Sequence, residues 1–283
     1  VEPFARAVLA DRFPTAAMHD DVTTLDSASI PVSVDTIAAG FPCQDLSQAG
    51  RTAGIGGKRS GLVSNVFRLA RHEGIRHLLL ENVPFMLRLD KGEAMRSLVR
   101  RLNRGGFAWA YRVVDSRAFG LPQRRRRVFL IASRDFDPSR RLFQDDHGVP
   151  AKLETPADHT GFYWTEGNRG VGWTENGVPT LKVGSGVAIP SPPGIWRRSR
   201  NDIVTPGIRD AEALQGFPRG WTDAATKAGS ERHRWRLVGN AVSVPAATWA
   251  AGCLDREDGP RLEGTFDLPT KVGWPTAGFG GPG

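Results

Sequence analysis

Between residues 34 and 132, short apolar runs of strand length alternate with segments whose apolar residues recur every three or four positions. That alternation leaves few architectures open. Residues 34–39 form a run that stops at Gly40-Phe41-Pro42, Leu62, Val66 and Leu69 share a helical face, and residues 75–80 form a second run. Met95, Leu98, Val99 and Leu102 define another helix, and residues 107–114 and 128–132 read as further strands. Pro3 stands where a first helical turn tolerates it, and the Phe4/Val8 and Ala5/Leu9 spacings predict a helix that opens the chain. Strand, helix, strand, helix predicts an α/β domain built on a parallel sheet.

The pattern changes near residue 133. Pro, Gly, Trp and Thr dominate up to about residue 206, and turns such as Glu166-Gly167-Asn168 and Pro192-Pro193-Gly194 recur. Helical spacing returns at 209–215 and 246–254. The expected organisation is a catalytic α/β domain over 1–134, a small loop-rich domain over 135–205, a return to the first domain over 206–255, and a Gly/Pro-rich tail over 256–283.

No uninterrupted apolar stretch approaches the roughly 20 residues a bilayer crossing needs, and residues 1–11 lack a signal peptide's layout. Two cysteines allow one bridge at most, and no Cys/His cluster has zinc spacing, so neither a disulfide scaffold nor a metal is expected. A reducing cytoplasm is the expected location. Lys plus Arg exceed Asp plus Glu by 38 to 30, a net charge of +8, and the sequence pI is about 10.2. The excess is mostly arginine, whose donor fork suits phosphates and guanine edges, although a solvated basic surface has the same composition.

In open α/β sheets, ligands bind beyond the carboxyl ends of strands. Cys43 follows the first strand, in a polar loop with Gln44, Asp45, Ser47 and Gln48, near arginines that would lower a thiol's pKa. Cys253, on an apolar helix face, reads as a small buried hydrophobe. Glu81 follows Leu78-Leu79-Leu80 and is either a partly desolvated carboxyl suited to sharing a proton or a capping or salt-bridging carboxylate. In Gln123-Arg124-Arg125-Arg126-Arg127, alternation puts Gln123, Arg125 and Arg127 on one side. The apolar continuation 128–132 ties them to a core strand.

Pro42-Cys43-Gln44, Glu81-Asn82-Val83, Gln123-x-Arg125-x-Arg127, Leu214-Gln215-Gly216-Phe217-Pro218 and Gly239-Asn240-Ala241-Val242 occur in the order and spacing of the DNA (cytosine-5) methyltransferase family. The chain resembles that family over about residues 2–250. The resemblance implies a Rossmann-like methyltransferase sheet dependent on S-adenosyl-L-methionine, with a target-recognition domain inserted. It makes Cys43 the nucleophile that attacks carbon 6 of a flipped-out cytosine, Glu81 the group holding the base's N3 and amino edge, and Arg127 the arginine at the base, with Arg125 in support. Asp21 and Val22 resemble the pair that receives the cofactor's adenine and Leu62 a wall of its pocket. Asn240, Ala241 and Val242 resemble its closing segment, and Pro42 the floor shared with the base. Gln44, Ser47, Arg59, Gln123, Thr180 and Leu181 are the DNA contacts it implies, and residues 44–59 a mobile catalytic loop.

The partner implied is double-stranded DNA bound by a monomer, within the nucleoid and in a restriction-modification setting. Family members begin with a strand and a glycine-rich cofactor turn. Val1 resembles the stretch just after it, so about 40 residues are expected to be missing. Residues 53–57 and 277–281 imitate that turn without a strand before and a helix after. A DNA-binding paralogue without turnover and a tRNA cytosine methyltransferase are the competing expectations.

Overall fold

The computed structural model describes residues 2–41, 62–145, 157–164, 170–182, 191–227, 229, 232–261 and 273–282. Their helices are α1 (Pro3–Arg12), α2 (Leu62–Leu69), α3 (Glu93–Arg104), α4 (Ser139–Leu142), α5 (Ile208–Leu214), α6 (Ala224–Lys227), α7 (Arg232–Asn240) and α8 (Val244–Asp255). Their strands are β1 (Thr36–Gly40), β2 (His77–Asn82), β3 (Ala108–Asp115), β4 (Gln123–Arg124), β5 (Arg126–Ser133), β6 (His159–Phe162), β7 (Thr174–Glu175), β8 (Val178–Pro179), β9 (Gly194–Arg197), β10 (Asp202–Val204) and β11 (Ala277–Gly280). The chain divides into two compact units. One comprises Asp21–Val114, Arg127–His147 and Trp249–Gly283, the other Val1–Asp20, Asp115–Arg126 and Gly148–Thr248. Residues 206–248 thus share a unit with the loop-rich middle, where the sequence pointed to a return to the first domain.

The first of these units is built on a five-stranded sheet ordered β1-β2-β5-β3-β11. Its inner strands β2, β5 and β3 are covered on both faces, and the period of two decides which residue goes where. Leu78 and Leu80 of β2, Trp109 and Tyr111 of β3 and Val128 and Leu130 of β5 join one core, into which α2 and α3 send Val63, Val66, Met95, Leu98 and Leu102. The intervening residues Leu79, Ala110 and Ile131 join a second core with Leu142, Trp249 and Cys253. Burial pushes the Cys253 thiol up, the reverse of what a nucleophile needs.

Two expectations are corrected here. The sheet is mixed rather than parallel: β1 and β2 run parallel, but β2 pairs antiparallel with β5, and β3 antiparallel with β11. Residues 256–283 are not simply a tail, because residues 277–280 form an edge strand of the sheet, with Tyr111 donating to the Pro275 carbonyl at 3.0 Å. That pairing also removes the 277–281 glycines as a cofactor turn.

The second unit holds a four-stranded sheet ordered β10-β9-β6-β7 and a short parallel pair, β4 with β8. Val178, Leu181, Ile208, Ala211, Trp235 and Val238 form its main core. A smaller core joins α1, through Val8, to Ala224 and Ala225. The 24-residue stretch Arg232–Asp255 is long and apolar enough to span a bilayer by composition. It is two helices, α7 and α8, parted by a turn at residues 241–243, with Trp235, Val238 and Cys253 buried in protein cores.

Candidate active site

The ends of β1 and β2 lie side by side, with Gly40 in register with Glu81. Glu81 falls on the Leu79 face of its strand. It stands opposite Phe129 of β5, one diagonal step from Arg127. Arg127 Nε reaches Glu81 Oε1 at 2.9 Å, and the two side chains are only 14% and 18% exposed. Burial pushes the Arg127 guanidinium below its ordinary value, opposed by the charge and hydrogen bond of Glu81. Glu81 is thus both salt-bridged and mostly buried. The arrangement is a carboxylate at a strand end, oriented by a guanidinium and able to accept a hydrogen bond from a ligand's N–H.

Two neighbours that the sequence reading left without a role complete this geometry. A methyl group added to Gly40 would sit 3.2 Å from Glu81 Oε2, so the glycine leaves the carboxylate its room. Asn82 is buried, donates Nδ2 to the Phe41 carbonyl at 2.9 Å and accepts from the Val83 amide at 2.8 Å. It fixes the backbone immediately before Pro42-Cys43. The signal was present: alternation from Leu78 and Leu80 puts Asn82 on the buried face, where an amide must find partners.

Gly40→Ala should lower turnover about tenfold with little change in melting temperature, since the methyl displaces the Glu81 carboxylate by tenths of an ångström. Paired kinetics and thermal melts check this; an unchanged kcat removes the spatial argument.

Asp21 and Val22 lie in the same unit. The Asp21 carboxylate accepts from the Thr23 amide at 2.8 Å, and Arg68 of α2 donates to the Val22 and Leu25 carbonyls, both at 2.7 Å. The helix that opens at Leu62 is thereby tied to the Asp21-Val22 turn. Pro42, Cys43, Gln44, Ser47 and Arg59, with the rest of the 44–59 loop, lie outside the described residues.

The remaining motifs meet in the second unit, at a buried polar hub. Gln123 is fully buried; its Nε2 donates to the Leu214 carbonyl at 2.9 Å, and its Oε1 accepts from the Leu181 amide at 3.1 Å. Gln215 donates to the Val238 carbonyl at 2.7 Å, accepts from Ser243 Oγ at 3.1 Å, and receives the Val244 amide on its own carbonyl at 2.8 Å. Arg125, 2% exposed, donates Nη2 to the carbonyls of Ala241 at 2.6 Å and Gly239 at 3.2 Å. Together these bonds fix the turn bearing Asn240, Ala241 and Val242. Gly216 permits the close approach through a φ of +85°, with Pro245 where a side chain would stand.

Gln123 and Leu181, expected at DNA, therefore sit inside the fold, where they make no surface for a duplex. Thr180 is half-buried and donates to the Arg124 carbonyl at 2.8 Å. Arg125, expected among the catalytic residues, positions the 239–241 backbone. Arg125→Ala strips two carbonyls of a buried charged donor, so about 3 kcal/mol of stability should go. The melting temperature should drop roughly 6–12 °C; a drop under 2 °C would mean the hub is not needed.

A family model, C-5 cytosine-specific DNA methylase, matches residues 1–159. The Type II methyltransferase M2.BsuMI of Bacillus subtilis (strain 168) is 48% identical over 99% of this chain and 74% of its own length. The chain belongs to the C-5 cytosine-specific DNA methylase family.

The Type II methyltransferase M.NlaX of Neisseria lactamica is 29% identical, over 80% of this chain and 77% of its own. Among solved structures, S. pombe Dnmt2 methyltransferase superposes with a TM-score of 0.62 over 90% of this chain and 88% of that one, at 15% identity. That likeness shows a shared methyltransferase fold. Among the described residues no cluster of three or more His, Cys, Asp or Glu could hold a metal ion.

Proposed function

We propose that this enzyme methylates carbon 5 of a flipped-out cytosine in duplex DNA, through a transient bond between Cys43 and carbon 6. The observation that carries the reading is the half-hidden Glu81 carboxylate, set by Arg127 and Gly40 at the strand end next to the Phe41 backbone that leads into Cys43. Carbon 5 of cytosine is a poor nucleophile; a thiolate added at carbon 6 turns the ring into an enamine that can take a methyl group. Glu81 holds the N3 and amino edge as charge builds in the ring, and Arg127 keeps that carboxylate oriented at the base. A proton then leaves carbon 5, the sulfur leaves carbon 6, and the aromatic ring returns.

S-Adenosylmethionine, when bound, supplies the methyl group. The donor set fits its adenosine end: Asp21 offers an exposed carboxylate, Val22 and Leu62 offer apolar surface, and Arg68 holds the turn rigid. Asp21, Val22, Leu62 and Pro42 would hold it. Asn240, Ala241 and Val242, given a cofactor role by the resemblance, stand on a backbone locked by Arg125 and Gln215. The net charge of +8 suits a polyanion, since phosphate contacts must offset the few kcal/mol spent in extruding a base. The Type II relatives support a restriction-modification setting; in this reading the substrate is DNA and the working form a monomer.

The test is incubation of the chain with labelled S-adenosylmethionine and either duplex DNA or tRNA, followed by nucleoside analysis. 5-Methylcytosine should appear in DNA, and affinity for DNA should fall steeply with salt. Label in tRNA alone, or DNA binding with no label, would replace the reading with one of its two competitors.

A further inference from the structure

One side of the β10-β9-β6-β7 sheet carries a chain of aromatic rings whose outer members are exposed. Thr160 of β6 is in register with Trp196 of β9, which is in register with Ile203 of β10. Alternation puts Phe162 on that same side, and Trp164, just past the strand, packs its ring against it. The rings form a chain: Phe162 to Trp164 at 5.0 Å, Phe162 to Trp173 at 5.8 Å, and Trp173 to Trp196 at 6.0 Å between centroids. Phe162 is buried, but Trp164 is 66% exposed and Trp173 45%. Indoles left in water at this density mark a binding surface.

Charge indicates the occupant. Arg198 lies 4.7 Å over the Trp196 ring, while its neighbour Arg197 is matched by Asp202. Arg124 donates to the carbonyls of Gly172 and Trp173, fixing the backbone that carries one of the exposed indoles. Flat rings interleaved with guanidinium groups suit a flat, polyanion-borne partner; a purely apolar protein surface would have no use for the cations.

We propose that Trp164 and Trp173, with Arg198, form a stacking platform for an unpaired nucleobase of bound DNA. The platform rests on the DNA-methyltransferase reading and extends it. A duplex with one base extruded leaves an unpaired partner, and an aromatic platform accepts any base because every base has a π face. None of the five sequence motifs includes these tryptophans.

The test titrates the 283-residue chain with three labelled probes: a fully paired duplex, the same duplex carrying one bulged thymine, and oligothymidylate. The chain should prefer the bulged duplex. Trp164→Ala and Trp173→Ala should each weaken the bulged duplex and oligothymidylate about tenfold. The paired duplex, which offers an unpaired base only while a cytosine is extruded, should lose no more than about threefold, and Trp164→Phe should recover most of the loss at an unchanged melting temperature. Equal losses on all three probes, or none on any, would overturn the platform. If the unaltered chain methylates the paired duplex but shows no preference for the bulge, the platform fails and the methyltransferase reading stands. If it neither binds nor methylates any DNA, the underlying reading fails first.

Discussion

Replacing Cys43 with alanine will end methyl transfer and end covalent capture by DNA containing 5-fluorocytosine. The argument is chemical. In the proposed cycle, the carbon 6–sulfur bond would break only after carbon 5 has given up its proton; fluorine at carbon 5 leaves no proton to remove, so the enzyme would stay attached to the DNA. Without sulfur there is nothing to attach. Loss of a covalent nucleophile costs on the order of 10⁶-fold in kcat. DNA binding should be retained, because Cys43 carries none of the charge that phosphates meet. A denaturing gel of the trapped complex, beside a filter-binding measurement on the same variant, separates the two effects. Residual trapping by Cys43→Ala would refute the assignment, whereas lost binding together with lost trapping would mean that the variant had disturbed the segment fixed by Asn82.

Helices and strands between residues 36 and 133 were legible because each is an amphipathic or apolar run of the right period, and the structure places them within a few residues of expectation. Strand direction was harder to read. Alternating elements predict a parallel sheet only where a helix carries the chain back, and between β3 and β5 the chain has only a short turn at Ser116–Phe119, a left-handed Gly120 and the two-residue strand β4. The absence of helical spacing over residues 115–127 was the available signal. The end of the chain misled for a different reason. Its glycines are the consequence of aromatic packing, since a methyl group on Gly278 would meet Tyr111 at 2.9 Å and one on Gly280 would meet Trp109 at 2.7 Å. Composition alone does not separate such glycines from those of a flexible tail.

The basic run over 123–127 shows where site reading stops. Gln123 and Arg125 are buried and Arg127 is 14% exposed, but they have different partners. Gln123 and Arg125 reach the 214–241 segments of one unit, and Arg127 reaches Glu81 in the other. A sequence gives the spacing of such residues and not the identity of what they touch. Three of the five motifs proved to be parts of one buried hub, where a glutamine or arginine is invisible to hydrophobic patterning because its partners are backbone carbonyls.

Glu81→Gln should lower kcat by about 10²–10⁴-fold with DNA affinity nearly unchanged, since the amide keeps the shape of the side chain but loses the charge that a base gaining a proton would feel. Arg127→Ala should likewise reduce turnover more than binding. The informative quantity is their coupling. Arg127 Nε stands 2.9 Å from the carboxylate and both groups are mostly shielded from water, so the arginine's effect on turnover passes through Glu81 in large part. Once Glu81 is glutamine, removal of Arg127 should cost much less than it does in the parent enzyme, a non-additivity of about 1–3 kcal/mol in activation free energy. Independent, additive losses would mean that the guanidinium meets the substrate by itself and does not act by orienting the carboxylate. Arg127→Lys discriminates further: an ammonium supplies the charge without the planar fork, so recovery of kcat by lysine would assign the effect to charge, and failure to recover would assign it to the geometry of the Nε–Oε1 contact.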